Sequence, residues 1–241
     1  MKNTIITTSW DDGHKLDLKL ARLLKKYSIP ATFYVAPKNR QWDKKDLINE
    51  SQIRKLSKNF EIGGHTITHP VLTDIPLSEA NNEIQGSKTY LENLLGKKIL
   101  MFCPPKGLYN DDIKKLIKEA GYLGSRTIKT FRTKPPSDFF EMGTSNHTVY
   151  RSYFYSWALA LVNNPGFLPF LITNDWVKLS CKIFDFVEKN GGIWHFWGHS
   201  WQIEENDWWK DLEEIFKYVS GKNNFKYLTN GETLKYIKKL K

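Results

Sequence analysis

Apolar and polar positions alternate along the chain in two periods, and the switch between them marks out strands and helices. An apolar β-branched run, Thr4-Ile5-Ile6-Thr7-Thr8, has the composition of a buried strand. Leu16, Leu20, Leu23, Leu24 and Tyr27 then recur at helical spacing, and Tyr27-Ser28-Ile29-Pro30 ends that helix before the strand Ala31 to Val35. Together these form a βαβ unit, and the same alternation continues. Helices are predicted from Lys44 to Lys58, from Ser78 to Leu95 with Gly96 as its stop, and after the cap Asn110-Asp111-Asp112. Between them lie the strands Phe60 to Ile62, Lys98 to Phe102 and Tyr122 to Thr127. From Ile128 to Asn174 no period is sustained, which reads as an elaborated loop region or insertion. Order returns with a helix from Asp175 to Glu188 and a strand from Ile193 to Trp201. A helix near Trp208 to Val219, a strand near Phe225 to Leu228 and a helix near Glu232 to Leu240 finish the chain. Alternation of this kind over 241 residues predicts one α/β domain, residues 1–241, with no internal repeat.

The polar residues that interrupt the pattern collect just after strands. Asp11 and Asp12 follow the first strand and precede Gly13, so two carboxylates with different directions can serve one site, one as a metal ligand and one as a base. About fifty residues on, Gly63-Gly64-His65-Thr66-Ile67-Thr68-His69-Pro70 follows another short strand. Two imidazoles four residues apart, on a helical turn or in a loop that folds back, can reach one ion. One Asp and two His make a facial set with open positions for water, the form of a catalytic metal site, and hydrolysis is the leading reaction class. In alternating barrels chemistry gathers where strands end, and both motifs obey that rule.

Composition narrows the alternatives. Lys and Arg outnumber Asp and Glu by 36 to 26, but no basic cluster stands out, so a solvated outer face explains the charge and no nucleic-acid partner is expected. Cys103 and Cys181 have no CxxC spacing, so neither a zinc ribbon nor a disulfide framework is indicated. No apolar run approaches ~18 residues, so no integral membrane segment is expected. The longest candidate, Ser156 to Ile172, is broken by Asn163-Asn164-Pro165-Gly166. The first strand begins at about Thr4, which leaves no room for a signal peptide and sets a cytoplasmic location as the expectation.

The two motifs resemble those of the metal-dependent polysaccharide deacetylase family, a strand ending in Thr-Phe-Asp-Asp-Gly and then His-Ser/Thr-x-x-His. Here they read Ser9-Trp10-Asp11-Asp12-Gly13 and His65-Thr66-Ile67-Thr68-His69. The resemblance implies a distorted (β/α) barrel of about seven strands. It further implies Asp12, His65 and His69 as ligands of a divalent metal, zinc with cobalt or another divalent ion as alternatives, and Asp11 as general base. The family's third motif, Arg-x-Pro-x-Gly, corresponds to Cys103-Pro104-Pro105-Lys106-Gly107, which puts Pro104, Lys106 and Gly107 at the substrate but lacks the Arg that holds the base. Arg126, at the end of the next strand, is the candidate to replace it. The late general-acid histidine corresponds to His199, with His195 as competitor; period two would set His195, Trp197 and His199 on one strand face.

The activity so implied is removal of N-acetyl groups from an amino sugar, with a carbohydrate as partner. Trp10, Trp194, Trp197 and Trp201 would offer faces for sugar rings, Cys103 is read as a buried small side chain, and His14 and His147 as turn or surface residues. Two alternatives stay open: a catalytically impaired glycan-binding protein of the same fold, and an amidohydrolase acting on a non-sugar carbon–nitrogen bond.

Overall fold

The computed structural model describes residues 4–148 and 175–240. Among them eight short strands pair in parallel: β1 (Thr4–Trp10), β2 (Ala31–Val35), β3 (Glu61–Gly64), β4 (Met101–Phe102), β5 (Gly124–Ser125), β6 (Asn146–His147), β7 (Gly192–Gly198) and β8 (Lys226–Tyr227). Their order is β5-β4-β3-β2-β1-β7-β6, with β8 laid against Ile5 and Ile6 of β1. All seven residues of β1 pair with β7 and three of them also with β2, and every residue of the strand is buried. A strand buried on both faces suits the β-branched run Thr4 to Thr8, whose Thr7 finds a partner inside the barrel. The two edges of the sheet are joined by the segment from Met142 to His147. Met142 bridges to Arg126 just past β5, and Asn146 and His147 pair with β7. The result is the expected curled, distorted barrel, seven strands in one order with the short β8 added beside β1.

Among the described residues eight α-helices surround the strands: α1 (Asp17–Lys26), α2 (Glu50–Leu56), α3 (Leu77–Leu95), α4 (Asp111–Glu119), α5 (Trp176–Asn190), α6 (Ser200–Glu205), α7 (Trp209–Val219) and α8 (Asn230–Leu240). The single helix expected over 44–58 is divided into a 3-10 turn, Lys44–Asp46, and α2. Asn49 is the reason: its side chain accepts from the Gln52 amide while the Gln52 side chain accepts from the Asn49 amide, and this reciprocal cap starts a new helix. The strand expected from Ile193 to Trp201 stops at Gly198, where the chain turns through His199 into α6. A side chain on Gly198 would collide with Thr148, so the strand end is wedged against its neighbour.

Period two sorts β1 and β7 into an outer and an inner face. Outward, Trp10, Trp194 and Phe196 pack on one another and on Phe184 of α5 and Phe216 of α7. Trp10 and Trp194 are therefore core residues, 0% exposed, and the expectation that they line a sugar site is corrected. Inward, the barrel is polar. Asn230 at the start of α8 donates to Thr7 Oγ1 at 2.8 Å, accepts from the Tyr34 hydroxyl at 2.8 Å and sends its backbone amide to Thr32 Oγ1 at 2.9 Å. Of the two histidines read as turn or surface residues, His14 is buried against Trp42 and His147 is half-buried on β6 beside Trp197.

Of the weakly patterned stretch 128–174, residues 149–174 and with them the apolar run Ser156 to Ile172 lie outside the described residues. Its described part supplies β6. No helix among the described residues is long and apolar enough to cross a membrane. Close packing at a glycine of β3 predicts one outcome. A Cβ on Gly63 would sit 2.5 Å from the Tyr34 ring and 3.0 Å from the Met101 carbonyl. Gly63→Ala is expected to cost about 1–3 kcal/mol of stability through overpacking, read as a lowered urea midpoint with an unchanged m-value.

Candidate active site

β1 delivers two carboxylates to one end of the barrel and the backbone then separates them. The Asp11 amide continues the ladder to the Gly198 carbonyl at 3.1 Å, so its side chain follows Ser9 and Thr7 toward the interior. Asp12 breaks the pattern with φ 83°, a left-handed conformation that costs a non-glycine residue about 1–2 kcal/mol, and Gly13 follows at φ 71°. That turn aims the second carboxylate away from the first.

Asp12 Oδ1 faces His69 Nε2 at 3.2 Å and His65 Nε2 at 3.6 Å, and those two ring nitrogens are 3.1 Å apart. All three side chains are buried. His65 Nδ1 donates to the Cys103 carbonyl at 2.6 Å, which leaves Nε2 as the ring nitrogen that faces Asp12. The pair is presented by a folded loop and not by a helical turn. Thr66 and His69 both have positive φ, and Glu83 of α3 accepts from the amides of Ile67 and Thr68 and from the Thr68 hydroxyl at 2.7 to 2.9 Å. Burial would push the Asp12 carboxyl up, but the hydrogen bonds from His65 and His69 outweigh it and hold it well below the usual carboxylate range. The two imidazole Nε2 atoms and a carboxylate oxygen, all within 4.8 Å of one another and buried, form a donor set that suits a divalent cation.

Asp11 has a different neighbour. Arg126, one residue past β5 and fully buried, donates from Nη2 to Asp11 Oδ1. The guanidinium lies over the Trp197 ring at 4.6 Å and the Tyr34 ring at 5.2 Å. Cys103 Sγ is 3.9 Å from Asp11 Oδ2, and burial pushes its thiol up, so it is a neutral small side chain. Asp11, His65 and Cys103 also lie close enough to ligate, but Arg126 already engages Asp11 and the Cys103 carbonyl engages His65.

The two late histidines separate clearly. His199, at the entry to α6, puts Nε2 4.0 Å from Asp12 Oδ2 while Nδ1 meets Gln202 Oε1 at 2.8 Å, and its side chain is 17% exposed. His195 is 0% exposed, pairs with Ser9 Oγ at 2.9 Å and with the Gly143 carbonyl at 3.1 Å, and is driven by burial and by the Arg126 charge from 6.5 to about 3. A neutral imidazole inside the barrel wall cannot exchange protons with a substrate, which removes His195 from the catalytic candidates. Among the remaining sequence candidates, Trp197 is 8% exposed and occupied by Arg126, while Trp201 is half-buried and donates to Asp12 Oδ2 at 2.8 Å. Pro104, Lys106 and Gly107 follow Cys103 in the loop leaving β4; Pro104 is buried, and Lys106 is exposed at φ 56°. Two residues escaped the sequence reading. Trp42, in the loop between β2 and α2, packs on Trp201 with ring centroids 5.3 Å apart, and Glu83 clamps the histidine loop. Neither stands in a motif, and only the fold brings them here.

Residues 1–124, half of the chain, match the family model described as polysaccharide deacetylase. The chain belongs to the polysaccharide deacetylase family. Among curated relatives within it, the chain is 30% identical over 116 residues to the peptidoglycan-N-acetylmuramic acid deacetylase PdaC of Bacillus subtilis, covering 47% of this chain and 24% of that protein. It is 30% identical over 151 residues to a peptidoglycan-N-acetylglucosamine deacetylase of Bacillus cereus, covering 60% of this chain and 66% of that one. The chain thus spans between a quarter and two thirds of these relatives' lengths. A crystal structure from Mycobacterium smegmatis assigned to the polysaccharide deacetylases superposes over 99% of this chain and 91% of its own, with a TM-score of 0.67 at 14% identity, which shows the shared barrel fold.

Two outcomes follow from the buried charges. Arg126→Met is expected to cost about 3–5 kcal/mol by stranding the Asp11 carboxylate, and Asp11→Asn in the same chain to recover part of it, read by chemical denaturation of the two single variants and the double. His195 is neutral when folded and binds a proton when unfolded, so it makes stability fall as pH drops from 6.5 toward 3. In His195→Asn the pH dependence of the unfolding free energy over that window should flatten by up to one proton; an unchanged slope would contradict the buried neutral ring.

Proposed function

We propose that this protein is a metal-dependent hydrolase that removes N-acetyl groups from an amino sugar of a glycan. The observation that carries the reading is the separate placement of two adjacent carboxylates: Asp11 on the Arg126 guanidinium, and Asp12 on His65 and His69 with His199 4.0 Å from its outer oxygen. Asp12, His65 and His69 would hold the cation. Zinc suits one carboxylate and two imidazoles, and cobalt or another divalent ion shares that donor preference. When bound, the ion supplies Lewis acidity toward the acetamido carbonyl.

The protein's own groups do the proton work. Asp11 takes a proton from the attacking water, with Arg126 fixing the direction of its carboxylate. His199 gives a proton to the departing amine as the carbon–nitrogen bond breaks, and Gln202 on its Nδ1 keeps Nε2 turned to the site. Acetate and a free amino sugar leave. Cys103 removes a cation from the loop after β4, and Arg126 brings one from the end of β5, which supports turnover over a catalytically impaired binder. The relatives' names support an N-acetylated hexosamine as substrate. Trp42 and Trp201 supply the aromatic surface on this side.

The test is acetate release from N-acetylglucosamine oligomers and peptidoglycan fragments. Metal-stripped protein should be inactive and regain turnover on zinc or cobalt addition, while Asp11→Asn and His199→Ala should each lower kcat by about 10²–10⁴-fold. Turnover that survives both substitutions would refute the assigned proton path, and its absence on every N-acetylated glycan would refute the activity.

A further inference from the structure

Trp201 offers the site more than a ring face. Its indole Nε1 donates to Asp12 Oδ2 at 2.8 Å, while the other oxygen of that carboxylate faces the two imidazoles. A carboxylate free to rotate can present either oxygen, or both, to a cation. An indole N–H is a donor only, with one direction. Held on Oδ2, it leaves Oδ1 as the oxygen aimed at His65 and His69. It is also neutral, so it orients the carboxylate without placing a positive charge beside the cation.

The indole itself is tightly held. Trp42 packs on it at 5.3 Å and His199 at 5.1 Å between ring centroids. Its neighbour Ser200 donates to the buried Asp17 of α1 at 2.6 Å, which pins the first turn of α6 to the barrel. His199 Nε2 lies 4.0 Å from the same Asp12 oxygen, so the indole donor and the His199 ring meet at one carboxylate oxygen.

Resting on the metal-site reading above, we propose that Trp201 is a positioning residue for Asp12, which presents Oδ1 to the cation and couples that ligand to the turn carrying His199. The test is the zinc affinity of the full chain, measured by competition with a chromophoric chelator for wild type, Trp201→Phe, Trp42→Phe and His65→Ala. Trp201→Phe keeps an aromatic ring and loses the donor, and is expected to bind zinc about 10–100-fold more weakly, whereas Trp42→Phe, which leaves the hydrogen bond in place, should bind as wild type does. Affinity unchanged in Trp201→Phe, or lowered equally in Trp42→Phe, would overturn the proposal alone. Wild type binding no more tightly than His65→Ala would overturn the metal site and this proposal with it. A second measurement needs no substitution. In ¹⁵N-labelled wild-type protein the Trp201 indole proton should exchange slowly with solvent and its resonance should shift on zinc addition; fast exchange without a shift would refute the bond.

Discussion

A guanidinium with no access to water is the constraint around which this barrel is arranged. Burying Arg126 without a counter-charge would cost several kcal/mol, and the surroundings supply one counter-charge and two aromatic faces. Asp11 supplies the charge, Trp197 and Tyr34 supply the faces of their rings, and His195 stays neutral beside it. Asp11 lies buried at the end of β1 directly against this cation. The chemistry proposed for that carboxylate thus depends on a residue 115 positions away in the chain.

The interior beneath the site is organised by the same need for polar partners. Thr7, Ser9, Thr32, Tyr34, His195 and Asn230 pair among themselves, so the inner faces of β1, β2 and β7 are closed by hydrogen bonds while their outer faces carry the apolar core. Such a network specifies register, because a one-residue slip of β1 would send Asp11 toward the helices and Trp10 into the polar interior. The left-handed turn at Asp12 completes the division and leaves the neighbouring carboxylates with separate partners.

The tryptophans show how far composition misleads without a fold. Four were candidates for a sugar platform. Two, Trp10 and Trp194, pack in the core, Trp197 is spent on Arg126, and Trp201 hydrogen-bonds Asp12. The ring that joins Trp201 at the site, Trp42, comes from a loop with no pattern of its own. Strand parity explains the first two: Trp10 and Trp194 alternate with the inward residues Ser9 and His195, so their side chains point to the helices.

By itself the sequence determined the alternation of strands and helices, the family motifs, and the delivery of Asp11, Asp12, His65 and His69 to strand ends. These are local properties: period, caps and adjacency are written over a few residues at a time. It also pointed to Arg126 as the missing cation, because a position after a strand end lies near other strand ends. Only the tertiary structure decided that β7 ends at Gly198 and so frees His199, that His195 is sealed in the barrel, that Glu83 holds the histidine loop, and that Trp201 bonds Asp12. Each of those is set by a contact between distant segments, and no local periodicity records which side chain will meet another across a closed sheet.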